Sequence, residues 1–256
     1  MRSLTAFFKK EITESIRNGK LLITILVFVA IGIMNPAIAK LTPWFMDMFS
    51  ETLAESGMIV QKIEINALTS WTQFFKNIPI ALITFVIIYS GIFTKEYESG
   101  TLILIITKGI ERHKILVSKL LFLILSWTVG YWSCFSVTYA YNSYYWDNSI
   151  AKSLFTASLC WWVFGLFVIC LMVLFSIISN SNSGVLLGVG GCVLTSYLLG
   201  IIPKAYEFVP TFLMDISASI ASSVSADTFI KAIIISMSVS LVSIVLSVIL
   251  FNKKQF

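Results

Sequence analysis

Leu154-Phe-Thr-Ala-Ser-Leu-Cys160-Trp-Trp-Val-Phe-Gly-Leu-Phe-Val-Ile-Cys170-Leu-Met-Val-Leu-Phe-Ser-Ile-Ile178 runs for 25 residues without one charged side chain. A helix needs about 20 mostly apolar residues to cross the hydrocarbon of a bilayer. The run is continuous rather than alternating, so it does not read as a barrel strand. Backbone polar groups find no water in hydrocarbon, which leaves helix as the conformation that satisfies them. Five further runs of the same kind flank it: 21–39, 77–93 and 120–139 before it, 185–202 and 229–251 after it. The sequence therefore predicts an all-α integral membrane protein with six transmembrane helices in a single domain, 1–256.

Composition agrees. Of the 256 residues, 57% are hydrophobic and 12% charged, with a mean hydropathy of +0.90. A soluble domain carries about 25% charged residues, so this chain has too few to cover a water-facing surface. Cys134, Cys160, Cys170 and Cys192 all lie in apolar runs, where free cysteine acts as a small hydrophobe. The first run ends in Ala37-Ile38-Ala39, as a signal-peptidase site does, but the long patterned stretch before it argues for a retained span.

Orientation follows from lysine and arginine in the loops. With the N-terminus in the cytoplasm, the inner segments hold 12 of the 18 basic residues and a net charge of +7, against −2 outside. Both termini are therefore expected inside. The same distribution assigns the basic excess to the membrane surface rather than to nucleic acid.

Between the runs, residues 3–18 place Leu4, Phe7, Phe8, Ile12 and Ile16 at helical spacing, with Lys9, Lys10, Glu14 and Arg17 largely elsewhere on the wheel. This predicts an amphipathic helix in the inner interface, set in membrane lipid through Phe7, Phe8, Ile12 and Ile16. Residues 40–76 read as an outer loop whose Trp44, Phe45, Met48, Phe49, Trp71, Phe74 and Phe75 suit the headgroup level. Asn35-Pro36 should kink or end the first helix. Residues 203–228 are too interrupted to span, and re-entrant outer helices are expected there before span 6. Gly184 and Gly188 form a GxxxG step that allows close helix packing.

The missing chemistry narrows the function. No Asp, Glu, Arg or His lies inside the six runs, and Lys231 sits two residues into the last, where it can snorkel outward. Ion-coupled carriers need ionisable groups in mid-membrane. The single histidine, His113, has no second ligand near it for a metal, so no catalytic or metal residue is assigned. No GxxxxGK[ST] phosphate cradle occurs, so any ATP-driven work needs a partner. The five tryptophans Trp127, Trp132, Trp146, Trp161 and Trp162 fit helix packing or an amphipathic cargo in a lateral cleft. Hydroxyls such as Thr24, Ser126, Thr128, Ser133 and Ser136 are what an otherwise apolar pathway would offer.

The richest inner segment is 94–119. It contains Thr94-Lys-Glu96-Tyr-Glu98-Ser-Gly100-Thr101-Leu102, then Arg112 and, opening the third span, Ser118-Lys119. Ser99 and Gly100 should break the second helix, Thr101 should cap a short apolar helix over 102–107, and Gly109 should end it. This stretch resembles the permease subunits of bacterial ABC exporters of the second export class, the type V fold. The resemblance rests on Glu96, Glu98, Gly100, Thr101, Leu102, Arg112, Ser118 and Lys119; Ser118 stands where the family usually has glycine. In layout it covers nearly the whole chain.

The resemblance implies a transport subunit of the bacterial cell membrane with no cofactor of its own. ATP and Mg²⁺ would bind a separate nucleotide-binding ATPase subunit. That subunit would grip a cytoplasmic coupling helix, 96–107, through Glu96, Glu98, Gly100, Thr101 and Leu102. A second copy or a related permease would complete a homo- or heterodimer, exporting a hydrophobic or amphipathic cargo such as an antimicrobial or toxin-like peptide, or else a glycolipid or drug. The rival readings are a membrane anchor or assembly module, a secondary carrier and a membrane enzyme.

Overall fold

In the computed structural model, all regular structure among the described residues, 2–48, 65–107, 109–222 and 227–254, is helical. The chain begins with α1 (Arg2–Arg17), α2 (Lys20–Met48) and α3 (Ala67–Tyr89). Short helices α4 (Gly91–Glu98) and α5 (Thr101–Thr107) lead into α6 (Arg112–Tyr145), α7 (Leu154–Ile178) and α8 (Asn182–Gly200). After short turns that include α9 (Phe212–Asp215), α10 (Asp227–Lys253) closes the fold. Six stretches are long and apolar enough to cross a membrane: Lys20–Phe45, Ala67–Glu98, Arg112–Tyr145, Leu154–Ile178, Asn182–Gly200 and Asp227–Lys253.

The first span does not end at Asn35-Pro36. Helix α2 runs through both Pro36 and Pro43 to Met48. Pro36 cannot donate to the Gly32 carbonyl four residues before it. Thr138 of α6 supplies the missing donor, its Oγ1 donating to Gly32 O at 3.0 Å. Asn35, fully buried, donates to Thr138 Oγ1 at 3.1 Å and accepts from Asn77 of α3 at 2.8 Å. A neighbouring helix thus satisfies the freed group, which is how membrane helices keep internal prolines.

The second span also starts ten residues before its expected start at 77. Asn66 caps it, its side chain accepting from Thr69 N at 3.3 Å. Trp71, Phe74 and Phe75, expected at the headgroups, are instead buried, Trp71 and Phe74 against α6. Trp44 and Phe45 are exposed, as a headgroup position requires, and Phe49 lies outside the described residues.

The core is an aromatic stack centred on Trp127, with Phe28 and Phe85 each 5.7 Å away and Tyr131 at 5.4 Å. Gly165 of α7 makes room for it: a Cβ there would stand 2.2 Å from the Trp127 ring. Trp127 Nε1 donates to Trp162 O, and Trp162 Nε1 to Thr128 Oγ1, both at 3.2 Å. On α10, Ser236, Ser240, Ser243 and Ser247 form a buried stripe. Ser240 and Ser247 bond back to their own helix at 2.7 Å, whereas the Ser236 hydroxyl is buried without a partner among the described residues; the stripe presents small side chains for close packing on α7. In the segment before α10, Phe212 stacks on Phe229 at 4.7 Å and Ser153 holds Ser222 O at 2.6 Å; residues 223–226 lie outside the described residues.

Candidate functional site

The polar chemistry concentrates where both termini meet. Helix α1 packs on α6 and turns Phe7, Glu11 and Ser15, spaced four apart, into the protein. Lys119 of α6 is 1% exposed and stands 3.0 Å from Glu11 Oε1 and 3.1 Å from Glu96 Oε1. Lys10 joins from the rim, 3.0 Å from Glu96 and 3.1 Å from Glu14. The Phe93 ring lies 5.4 Å from the Lys119 ammonium, and Phe7 4.8 Å from that of Lys10. Burial opposes the charge on Lys10, but the carboxylates of Glu96, Glu11 and Glu14 outweigh it and raise its pKa above that of a free lysine. The result is a five-membered ionic knot joining α1, the end of the second span and the start of the third.

Glu96 therefore points into the protein rather than outward. Glu98, two residues on, is exposed. Phe7 is likewise buried against protein, Phe8 and Ile12 are half-buried, and Ile16 is exposed. The apolar side of α1 is thus shared between the protein and its surroundings.

Gly100 adopts φ +66° and Gly109 φ +82°, left-handed joints at either end of α5 that side chains with a Cβ rarely occupy. Thr101 is the first helical residue, not a cap beyond the helix, and its hydroxyl meets Ser99 Oγ at 2.9 Å. Leu102 is fully buried and anchors α5 to the bundle; Ile103 and Leu104 face out, Leu104 63% exposed. Ser118, in the position the family gives to glycine, donates to Leu4 O of α1 at 3.2 Å.

The remaining helix ends at this face are tied as well. Arg112 Nη1 donates to the carbonyls of Phe251, Asn252 and Lys254 at 3.1, 3.0 and 2.6 Å, a cation on the C-terminus of α10. Lys254 donates to Ile177 O at 2.7 Å and Asn180 Oδ1 at 3.0 Å, closing the end of α7. Thr94 bonds Asn182, linking α4 to α8. His113 is exposed and pairs with Glu111 at 3.2 Å. Sequence reasoning did not find the knot or the Arg112 clamp. One signal was present: Glu11 follows Phe7 by four residues and so lies on its face of α1.

Glu11, Glu14 and Glu96 converge closely enough to hold a cation. Lys10 and Lys119 already stand among those oxygens, so a metal would have to displace two ammonium groups.

Gly188 packs on the Phe175 ring of α7, where a Cβ would meet it at 2.3 Å. Gly184 faces Ser179 of its own turn, so only the second glycine of the pair serves a helix–helix contact. Between α3, α7 and α8 opens a lateral cleft of about 690 Å³, lined by Leu82, Val86, Phe164, Val168, Val189 and Val193 among others. Trp161 lines it, while Trp127 lies in the core. Thr24 and Thr128 are committed elsewhere, Thr24 to Lys20 O and Tyr89, and Thr128 to Ile124 O and Trp162.

No curated protein matches the chain at a significant level. The family model described as ABC-2 family transporter protein matches residues 5–256. In agreement with the resemblance carried by the 94–119 loop, the chain belongs to the ABC-2 transporter family and is a membrane subunit of an ABC transporter, partnered by an ATPase subunit.

Proposed function

We propose that this chain is half of the membrane pathway of a bacterial exporter in the cytoplasmic membrane, with both termini inside, and that α5 is its coupling helix. The observation that carries the reading is the mounting of α5. It hangs between two left-handed glycines, anchored by Leu102, with Leu104 facing out and Glu98 exposed just before it. Glu96, two residues before Glu98, is held by Lys119 and Lys10, so a push on α5 is delivered to the third span and the interface helix together. In this role Glu98 and Leu104 meet the ATPase, and Glu96 and Leu102 transmit.

A second permease, identical or related, completes the pathway. The cleft is lined mainly by apolar side chains, with Asp215, Ser217 and Tyr197 among them, which favours a hydrophobic or amphipathic cargo such as an antimicrobial or toxin-like peptide over a small ion. Tagged pull-down in nanodiscs followed by ATPase assay tests the reading. Glu98→Lys is expected to release the ATPase subunit while leaving thermal unfolding of the permease unchanged. Full recovery of a coupled, active ATPase with Glu98→Lys would sink the coupling role, and isolation of the wild-type chain without any ATPase would favour an anchor or assembly module.

A further inference from the structure

Against the ionic knot, and sharing Glu11, Glu14, Glu96 and Lys119 with it, lies a cavity of about 270 Å³ between α1, the first turn of α2, α4 and α6. Glu14, Ser15, Lys20, Lys95 and Glu96 line it. Among the described residues neither Lys20 nor Lys95 has a hydrogen-bond or ion-pair partner, although every other lysine of this wall is paired. The stem of Lys95 folds back over Gly91, where a Cβ would meet its Cε at 3.0 Å, and Gly91 itself lines the cavity. Lys20 feels the like charges of Lys95 and Lys119 as well as the opposite charges of Glu14 and Glu11. Two clustered ammonium groups that no carboxylate contacts directly are placed to hold a phosphate.

The opposite wall has the complementary need. Glu96 Oε1 is shared by two lysines, but Glu96 Oε2 has no partner within the protein; nor has Ser15 Oγ, on a residue only 4% exposed. Glu14 holds Lys10 by Oε2 alone. These are acceptors for an ammonium, which brings three donors. The cavity sits where the first span opens, and Leu22, Ile23 and Leu26 of α2 are exposed directly beyond Lys20. That surface would take acyl chains.

We propose that this cavity binds the headgroup of an aminophospholipid, Lys20 and Lys95 holding the phosphate and Glu96, Ser15 and Glu14 the ammonium. A lipid seated there would clip α1 to the first two spans.

Native mass spectrometry of the full-length chain, purified with its ATPase partner and incubated separately with phosphatidylethanolamine, phosphatidylglycerol, phosphatidylcholine, glycerophosphoethanolamine and inorganic phosphate, tests this. One phosphatidylethanolamine is expected to be retained in preference to the other two lipids, with the two soluble probes bound far more weakly. The double variant Lys20→Ala, Lys95→Ala should lose about tenfold or more of that retention. Lys20→Arg with Lys95→Arg should keep it, and Lys9→Ala, on an exposed position of α1, should not change it. Equal retention of all three lipids, a preference for phosphatidylglycerol, binding of free phosphate as strong as that of the lipid, or retention unchanged in the alanine pair would each overturn the proposal. Thermal unfolding of both double variants separates loss of binding from loss of fold.

Discussion

Lys119 shows how one residue is read wrongly by hydropathy and correctly by pairing. A lysine at 1% exposure is costly unless its charge is met. Here two carboxylates meet it, at 3.0 and 3.1 Å. Removing one partner of a buried ion pair leaves the other uncompensated and costs about 3–5 kcal/mol. Lys119→Met is therefore expected to destabilise the chain by that order, read as a fall in the thermal unfolding midpoint in detergent. Glu98→Lys, on an exposed carboxylate, should not move it. Nothing local in the sequence reveals this pairing, because Glu11 and Lys119 are 108 residues apart. Glu96 and Glu98 look alike in the sequence; only the fold sends one inward and leaves the other outside.

At the scale of elements, the apolar runs were legible because lipid-facing and core-facing side chains of a span are both hydrophobic. The fourth span begins and ends where its apolar run does, Leu154–Ile178. Helix ends were also legible where glycine forces a left-handed turn, as at Gly100 and Gly109. Elsewhere polar residues continue a helix that hydropathy would stop. Residues 67–76 remain helical because Trp71 and Phe74 reach the core, and Pro36 is tolerated because Thr138 takes the carbonyl it frees. The contact of α6 with α7 depends on Gly165, which hydropathy treats as neutral. Gly165→Ala would drive a methyl into the Trp127 ring, an overpacking cost of about 1–3 kcal/mol. The expected result is a lower unfolding midpoint with blue-shifted or broadened tryptophan emission. An unchanged midpoint would mean that the ring has another resting place.

The whole molecule is asymmetric in its chemistry. One face ties α1, α4, α6, α7, α8 and α10 together through ion pairs and capped carbonyls, whereas the membrane interior relies on aromatic packing and a few amides and hydroxyls. In the orientation proposed above, the tied face lies in the cytoplasm. Tags at both ends are expected to be digested by protease only in inverted vesicles, and digestion of either tag in right-side-out cells would contradict that orientation. The pairing of Glu11 with Lys119 also sets an order of events during synthesis. At about 5–20 residues per second, the acid leaves the ribosome roughly 5–20 s before its lysine does. Throughout that interval α1 carries an unmatched carboxylate on the side it will later bury. The nascent helix must therefore wait in a wet, shallow position, and the newborn third span is the element that finally draws it into place.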